Sequence, residues 1–333
     1  YLPNLAQIST NGMKQLLSVP ASNQSFGLQA MTEEIHATFQ IESIRSSRNS
    51  IRHILNGYAP RNEEESRIYG MKRGLDFIAD RQNAITEENL HQLYQISSGD
   101  YLPDEDRLLP DHFYRHDHVY VVGGEQSREG LPAQQLPDAM KRLVDFTNAK
   151  DGINELHKAA ILHFAFAYYH PYFDGNGRTA RLLHLWYLVQ QGYPAALFTP
   201  FSRYIAESKA AYCKAYDRVE KNALISGYTD VTPFLSYFCN EVYNRLQVDV
   251  IPPQADLQVY QTALANGKIT EKERLLWEYV LSAYGTEEFT TKQLEKDFRN
   301  AAYATIRTFV MKFHEMGLLA ARKAGNRVYY KVR

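Results

Sequence analysis

Twelve residues, His170-Pro-Tyr-Phe-Asp-Gly-Asn-Gly-Arg-Thr-Ala-Arg181, lie between two segments too apolar to sit anywhere but inside a domain. Upstream, Glu155 to Tyr169 carries Leu156, Ala159, Ala160, Ile161, Leu162, Phe164 and Phe166, apolar almost all round as a buried helix is. Downstream, Arg178 to Gln191 carries Leu182, Leu183, Leu185, Trp186, Leu188 and Val189, and Gly192 stops it. The stretch is therefore expected to be a helix–loop–helix turn whose second helix begins near Gly177.

Such a turn has a chemistry. A helix N-terminus offers unpaired N–H groups and the positive end of the dipole, and glycines let an anion come close. Gly175 and Gly177 can form an anion nest, with Asn176 adding a side-chain donor. Arg178 and Arg181, three residues apart, leave the first turn on adjacent positions, and two forked cations over a nest suit a polyphosphate. Asp174 offers an oxygen to Mg²⁺, an ion that takes one or two carboxylates and completes its shell with phosphate and water. His170 can accept a proton from an attacking hydroxyl near neutral pH.

In this order the residues resemble the active-site motif of the Fic proteins, His-Pro-aromatic-x-Asp-Gly-Asn-Gly-Arg-x-x-Arg, with Tyr172 where the family more often has Phe. The resemblance implies transfer of AMP from ATP to a protein hydroxyl. By it, His170 deprotonates a Ser, Thr or Tyr, and Asp174 holds Mg²⁺ between the α- and β-phosphates. Gly175, Asn176 and Gly177 cradle the phosphates, Arg178 faces the β-phosphate and Arg181 grips the γ-phosphate. A related kinase-like branch has lysine before the first arginine; Gly177 at that position favours AMP transfer.

Residues 28–42 are expected to be helical, with Ile35, Thr38, Phe39 and Glu42 on one face. A glutamate on an apolar face either reaches back to solvent at the helix end or needs a cation. Thr38-Phe39-Gln40-Ile41-Glu42-Ser43 resembles the Ser/Thr-x-x-x-Glu-Gly/Asn motif of self-inhibited Fic proteins, except that Ser43 replaces Gly or Asn. The resemblance implies a Glu42–Arg181 pair that obstructs the γ-phosphate within one chain. The same carboxylate could orient a water for AMP removal.

Val119-Tyr120-Val121-Val122 followed by Gly123-Gly124 reads as a hairpin, with a return strand around Gly130–Leu131. It is either a plain surface hairpin or, by the resemblance, the flap on which a target segment docks by strand addition. Ser202 to Tyr212 resembles the family segment near the adenosine, so Tyr212 either borders the adenine or is a core aromatic. Helices are also expected over 63–79, 86–97, 136–148 and 230–246.

Beyond Pro252-Pro253, three helices (271–284, a short one capped by Thr290 or Thr291, and 301–316) precede two strands, 318–321 and 327–332. The order resembles a winged helix-turn-helix. Residues 270–333 hold 12 Lys/Arg against 8 Asp/Glu, a net +4. Thr305, Arg307, Arg322, Lys323, Arg327 and Lys331 would contact DNA, or the domain makes protein contacts with its charges solvated.

The reading is thus mainly α: a helical Fic domain with a β-hairpin flap, plus a C-terminal winged helix-turn-helix. The expected divisions are an N-terminal arm 1–29, a Fic domain 30–246 with an inhibitory helix 30–43, a linker 247–269 and a winged helix 270–333. A net charge of −1 over 333 residues argues against a wholesale nucleic-acid or membrane binder, and no run of 18 apolar residues suggests a membrane span. Cys213 and Cys239 sit in no metal-binding spacing and read as core residues of a reducing, cytoplasmic compartment. The chain begins at Tyr1 rather than Met, so its native N-terminus is expected to lie further upstream. ATP as co-substrate, Mg²⁺, a protein substrate (the chain itself among the candidates) and a homodimer follow from the resemblance. The alternative from another class is a DNA-binding regulator using the Fic domain as a nucleotide sensor.

Overall fold

The structure, a computed structural model, describes residues 27–121, 128–249, 254–284 and 287–333. Expectations placed on residues 1–26, on Val122-Gly123-Gly124 and on Pro252-Pro253 lie outside the described residues. The described chain is mainly helical and falls into two compact units, residues 32–249, and residues 254–333 together with residues 27–31.

The first unit takes up α1 (Gly27–Ile41) at Thr32, and Ile35, Thr38 and Phe39 of that helix are buried. A short helix α2 (Arg48–Leu55), with no counterpart among the expected elements, is capped by Ser47 accepting from Ser50 N and buries Ile51 and Ile54. In α3 (Glu63–Ala79) and α4 (Glu87–Ser97), Asn62 and Thr86 accept from the third residue on. A two-stranded ribbon follows, β1 (Tyr120–Val121) against β2 (Arg128–Glu129), antiparallel with Tyr120 opposite Glu129. The return begins two residues before the expected Gly130, because Gly130 N donating to Val119 O at 3.0 Å already closes the ladder.

Then come α5 (Leu136–Asn148), α6 (Glu155–Tyr169) and α7 (Asn176–Gln190). The last two pack closely as a hairpin of helices, with Leu156, Leu162, Phe166, Leu183, Trp186 and Leu188 in the core. The segment near Tyr212 is two helices, α8 (Phe201–Glu207) and α9 (Lys209–Ser226), broken at Ser208. The expected 230–246 helix is interrupted: α10 (Thr232–Tyr237) runs into a π turn over Phe238–Tyr243 before α11 (Asn244–Asp249).

The C-terminal unit corrects one expectation. Residues 247–269 are not a plain linker, since α12 (Gln254–Ala265) lies within them and Ala263 and Ile269 join the unit's core. The two prolines immediately precede this helix in sequence, a place proline tolerates. After α13 (Glu271–Ala283), with a Thr270–Glu273 capping box, come β3 (Phe289–Thr290), α14 (Thr291–Phe298) and α15 (Tyr303–Glu315). β4 (Leu319–Ala324) and β5 (Arg327–Val332) complete an antiparallel sheet of order β3-β5-β4. The β4–β5 turn is Gly325-Asn326 alone, with Gly325 at φ 60°, so both arms are paired up to Ala324 and Arg327. Leu276, Trp277, Val280, Ile306, Phe309 and Phe313 fill the core. Among the described residues no helix is long and apolar enough to cross a membrane.

Candidate active site on the α6–α7 turn

α6 ends in a left-handed residue, and that residue is His170, with φ 55° and ψ 59°. A side chain in this region carries strain that surrounding structure must hold, a condition common at functional sites. His170 Nδ1 lies 3.4 Å from the Ala167 carbonyl; a proton on Nδ1 leaves Nε2 as the basic nitrogen. The chain then crosses Tyr172, buried and stacked on Tyr94 with ring centroids 3.6 Å apart. It re-enters a helix through Gly175 at φ 83°, where an added Cβ would press on Ser98 at 2.8 Å.

Asp174 Oδ1 accepts from Gly175 N at 2.6 Å, and Oδ2 takes Arg178 Nη2 at 3.0 Å; its side chain is about half exposed while Arg178 is buried. Arg178 does not line the cavity described below, and its guanidinium holds Asp174. Asn176 Oδ1 accepts from Tyr172 N at 2.9 Å and its Nδ2 donates to Tyr172 O at 2.8 Å, so the side chain staples the loop.

Arg181, 3% exposed, turns the other way. Its Nε donates to Thr38 Oγ1 at 2.5 Å, and its Nη2 donates to Glu42 Oε1 at 2.6 Å and to Thr38 O at 3.3 Å. Glu42 is delivered there by the end of α1: Ile44 N donates to Phe39 O at 2.9 Å and Ser43 N to Gln40 O at 3.1 Å, a Schellman closure with Ser43 at φ 58°. A carboxylate at the end of its own helix is opposed by that dipole. This one lies instead against the first turn of α7, so close that a methyl on Gly177 would collide with Oε1. Eight residues earlier on α1, the buried Glu34 accepts from Ser202 N at 2.8 Å and from the Ser202 hydroxyl, tying α1 to the start of α8. Burial raises its carboxyl above the ordinary range in spite of these bonds.

A cavity of about 370 Å³ gathers His170, Asp174, Gly177, Arg181 and Glu42 on one side, with Tyr120 and Val121 at its edge. Its far wall is one face of α9, Lys209, Tyr212, Cys213, Tyr216, Asp217 and Glu220. Tyr212 lines this cavity; its hydroxyl shares hydrogen bonds with His163 Nε2 at 2.9 Å and Tyr216 Oη at 3.3 Å, and burial pushes its pKa up to about 12. The neighbouring wall residues were not singled out in the sequence, although their three- and four-residue spacing from Tyr212 marks one helical face. Gly175 and Asn176 do not line the cavity, Val119 is half-buried beside the ribbon, and Val122 lies outside the described residues.

A helix N-terminus, a buried arginine, a carboxylate and a histidine around one cleft define a site suited to phosphate chemistry next to a general base. Residues 84–188 match the model of the Fic/DOC family. "Protein adenylyltransferase Fic" of Drosophila willistoni is 29% identical over 140 residues, 40% of this chain and 26% of its own. "Protein adenylyltransferase fic-1" of Caenorhabditis elegans is 30% identical over 201 residues, 51% of this chain and 38% of its own. The chain thus spans between a quarter and two-fifths of the length of these curated relatives. In fold it is similar to a Fic family protein from Desulfovibrio desulfuricans G20, with a TM-score of 0.62 at 16% identity, covering 100% of this chain and 97% of that one. It is also similar to Fic-1 from C. elegans, with a TM-score of 0.53 at 21% identity, covering 72% of each.

Proposed function

We propose that the protein is a nucleotidyltransferase that moves AMP from ATP to a Ser, Thr or Tyr hydroxyl of a protein, and that Glu42 holds it in check. The observation that carries this reading is the meeting of His170, Gly177 and Arg181 at one cavity whose phosphate end is filled by the Glu42 carboxylate. In this mechanism His170 takes the proton of the attacking hydroxyl and the hydroxyl oxygen bonds to the α-phosphorus. The bond from that phosphorus to the β-phosphate oxygen breaks, and pyrophosphate leaves. The amides of the first turn of α7 and the Arg181 guanidinium bear the phosphate charge once Glu42 has withdrawn.

No group of three or more His, Cys, Asp or Glu side chains suited to a metal is found among the described residues. Asp174 alone, half exposed at the cavity, fits Mg²⁺, whose remaining ligands are phosphate oxygens and water. Bound there, the ion would neutralise phosphate charge. Asp174 would hold it, with Arg178 orienting the carboxylate.

The ribbon beside the cavity is the proposed docking edge for an extended target segment. We read the C-terminal unit as a winged helix used for protein contacts. Arg322 is committed to Glu288 at 2.6 Å and Lys312 to Glu273 at 2.8 Å, and α15 exposes Tyr303 and Met311. Arg322, one of the cations expected on DNA, is thus neutralised by a carboxylate.

The test is incubation with ATP labelled on the α-phosphate. Label on protein should rise in Glu42→Gly and vanish in Glu42→Gly/His170→Ala. ATP binding with no label in any variant would sink the transferase reading and favour a nucleotide sensor.

A further inference from the structure

Arg115 precedes the ribbon and is 2% exposed, yet it belongs to no helix or strand. Its guanidinium donates to three backbone carbonyls. Nε reaches His170 O at 2.8 Å, Nη1 reaches Asp117 O at 2.6 Å, and Nη2 reaches Leu131 O. Its own amide donates to Pro171 O at 2.9 Å.

These acceptors lie on three separate stretches: the left-handed turn that carries the base, the chain entering β1 and the chain leaving β2. Two further contacts lock the same junction. Leu131 N donates to Tyr169 O at 3.3 Å, and Gly130 lies so close that a Cβ there would meet Arg115 Nη2 at 2.8 Å and His170 Cβ at 3.4 Å. A planar fork spreads its donors over three nitrogens and so reaches three separated carbonyls at once, whereas the three donors of a lysine leave a single nitrogen. A cation buried on carbonyl dipoles also gives up hydration, a cost accepted only where geometry matters.

We propose that Arg115 is a positioning residue for AMP transfer, a rivet that fixes the distance from the ribbon to His170. This inference rests on the transferase reading above. A target segment docked along β1 or β2 presents its hydroxyl in the frame of the ribbon, whereas the proton acceptor belongs to the α6–α7 turn. Arg115 makes the two frames one. It does not line the cavity, and the phosphate-facing groups Gly177 and Arg181 sit on α7, so nucleotide binding does not depend on it.

The experiment uses Arg115→Lys and Arg115→Ala in the full chain carrying Glu42→Gly. Three quantities are read: ATP affinity by calorimetry, kcat and KM for labelling of the chain with α-labelled ATP, and amide hydrogen exchange at residues 128–131. The expected result is exchange at least ~10-fold faster in that segment with α7 amides unchanged. ATP affinity and KM should stay within about twofold while kcat falls on the order of 100-fold, the scale of a misplaced reacting group. Added guanidinium ion should restore part of the Arg115→Ala rate. Unchanged exchange at 128–131 overturns the rivet whatever the activity does. A rise in KM matching the fall in kcat, with no guanidinium rescue, overturns it as general structural damage. If the Glu42→Gly parent carries no label, the transferase reading has failed, and the exchange data alone decide whether Arg115 ties ribbon to turn.

Discussion

Nη2 of Arg181 meets Oε1 of Glu42 at 2.6 Å across 139 residues of chain, while Nε of the same guanidinium is held by Thr38. One arginine thereby ends both a helix N-terminus built for anions and a helix C-terminus that delivers one. The carboxylate lies at the start of α7 where the proposed mechanism puts a phosphate, so on that reading a nucleotide and Glu42 compete for the same cation. Competition of this kind needs no rearrangement of the α6–α7 turn. It needs only that the end of α1 move.

Removing the competitor should therefore tighten ATP binding. A hydrogen bond to a charged group is worth about 1.5–3 kcal/mol, which corresponds to roughly 10- to 100-fold in affinity. Calorimetry of ATP with Glu42→Gly against the parent reads this directly, and equal affinities would show that Glu42 does not occupy the nucleotide's place.

Ser43 closes the Schellman motif in a left-handed conformation at φ 58°. A side chain there costs about 1–2 kcal/mol, offset in part by the greater chain entropy glycine loses on folding. Ser43→Gly is expected to stabilise by about 1 kcal/mol, raising Tm by roughly 2–4 °C. Because it firms the turn that aims Glu42, labelling should fall slightly rather than rise. Thermal unfolding and the labelling assay on the same preparation check both signs.

His184 is buried on α7, sharing a 2.9 Å hydrogen bond with the Tyr243 hydroxyl, and burial lowers its pKa to about 3. A histidine depressed in the folded state is neutral there and protonated in the unfolded chain below pH ~6.5. Its stabilisation is complete above that pH and is lost as pH falls towards the folded value. From pH 7.5 to 5 the loss should be about 2 kcal/mol from this group. His163, also buried and shifted the same way, adds to it. Urea unfolding of parent and His184→Gln at both pH values tests this, since the variant should show a shallower decline.

Contiguity governed what could be read from sequence. His170, Asp174, Gly177 and Arg181 were legible because their chemistry sits in twelve consecutive residues between two unmistakable helices. The Glu42–Arg181 contact was legible only through the motif resemblance, since the apolar face alone left a glutamate reaching back to solvent equally open. Arg115 was not, since its meaning lies in a carbonyl 55 residues away. The contacts of Arg178 with Asp174 and of Asn176 with Tyr172 were not legible, because whether a loop side chain points outwards or back at its own turn depends on curvature that spacing does not encode. The helix over 254–265 was hidden behind two prolines that mark a start as readily as a break.

Asn176 offers the sharpest separation between a ligand donor and a structural staple. Its amide satisfies both the N–H and the C=O of Tyr172 inside the loop, and Asn176 itself is 2% exposed. Asn176→Ala strips two buried backbone groups of their partners, a loss of about 3 kcal/mol if neither finds water. The cost falls on the protein with no nucleotide present, because the staple exists without it. Asn176→Asp keeps the acceptor for Tyr172 N but loses the donor to Tyr172 O, so it should land between parent and alanine. Urea midpoints of the three proteins without nucleotide are the measurement. Equal midpoints, with ATP affinity alone reduced in Asn176→Ala, would make the side chain a ligand donor rather than a staple.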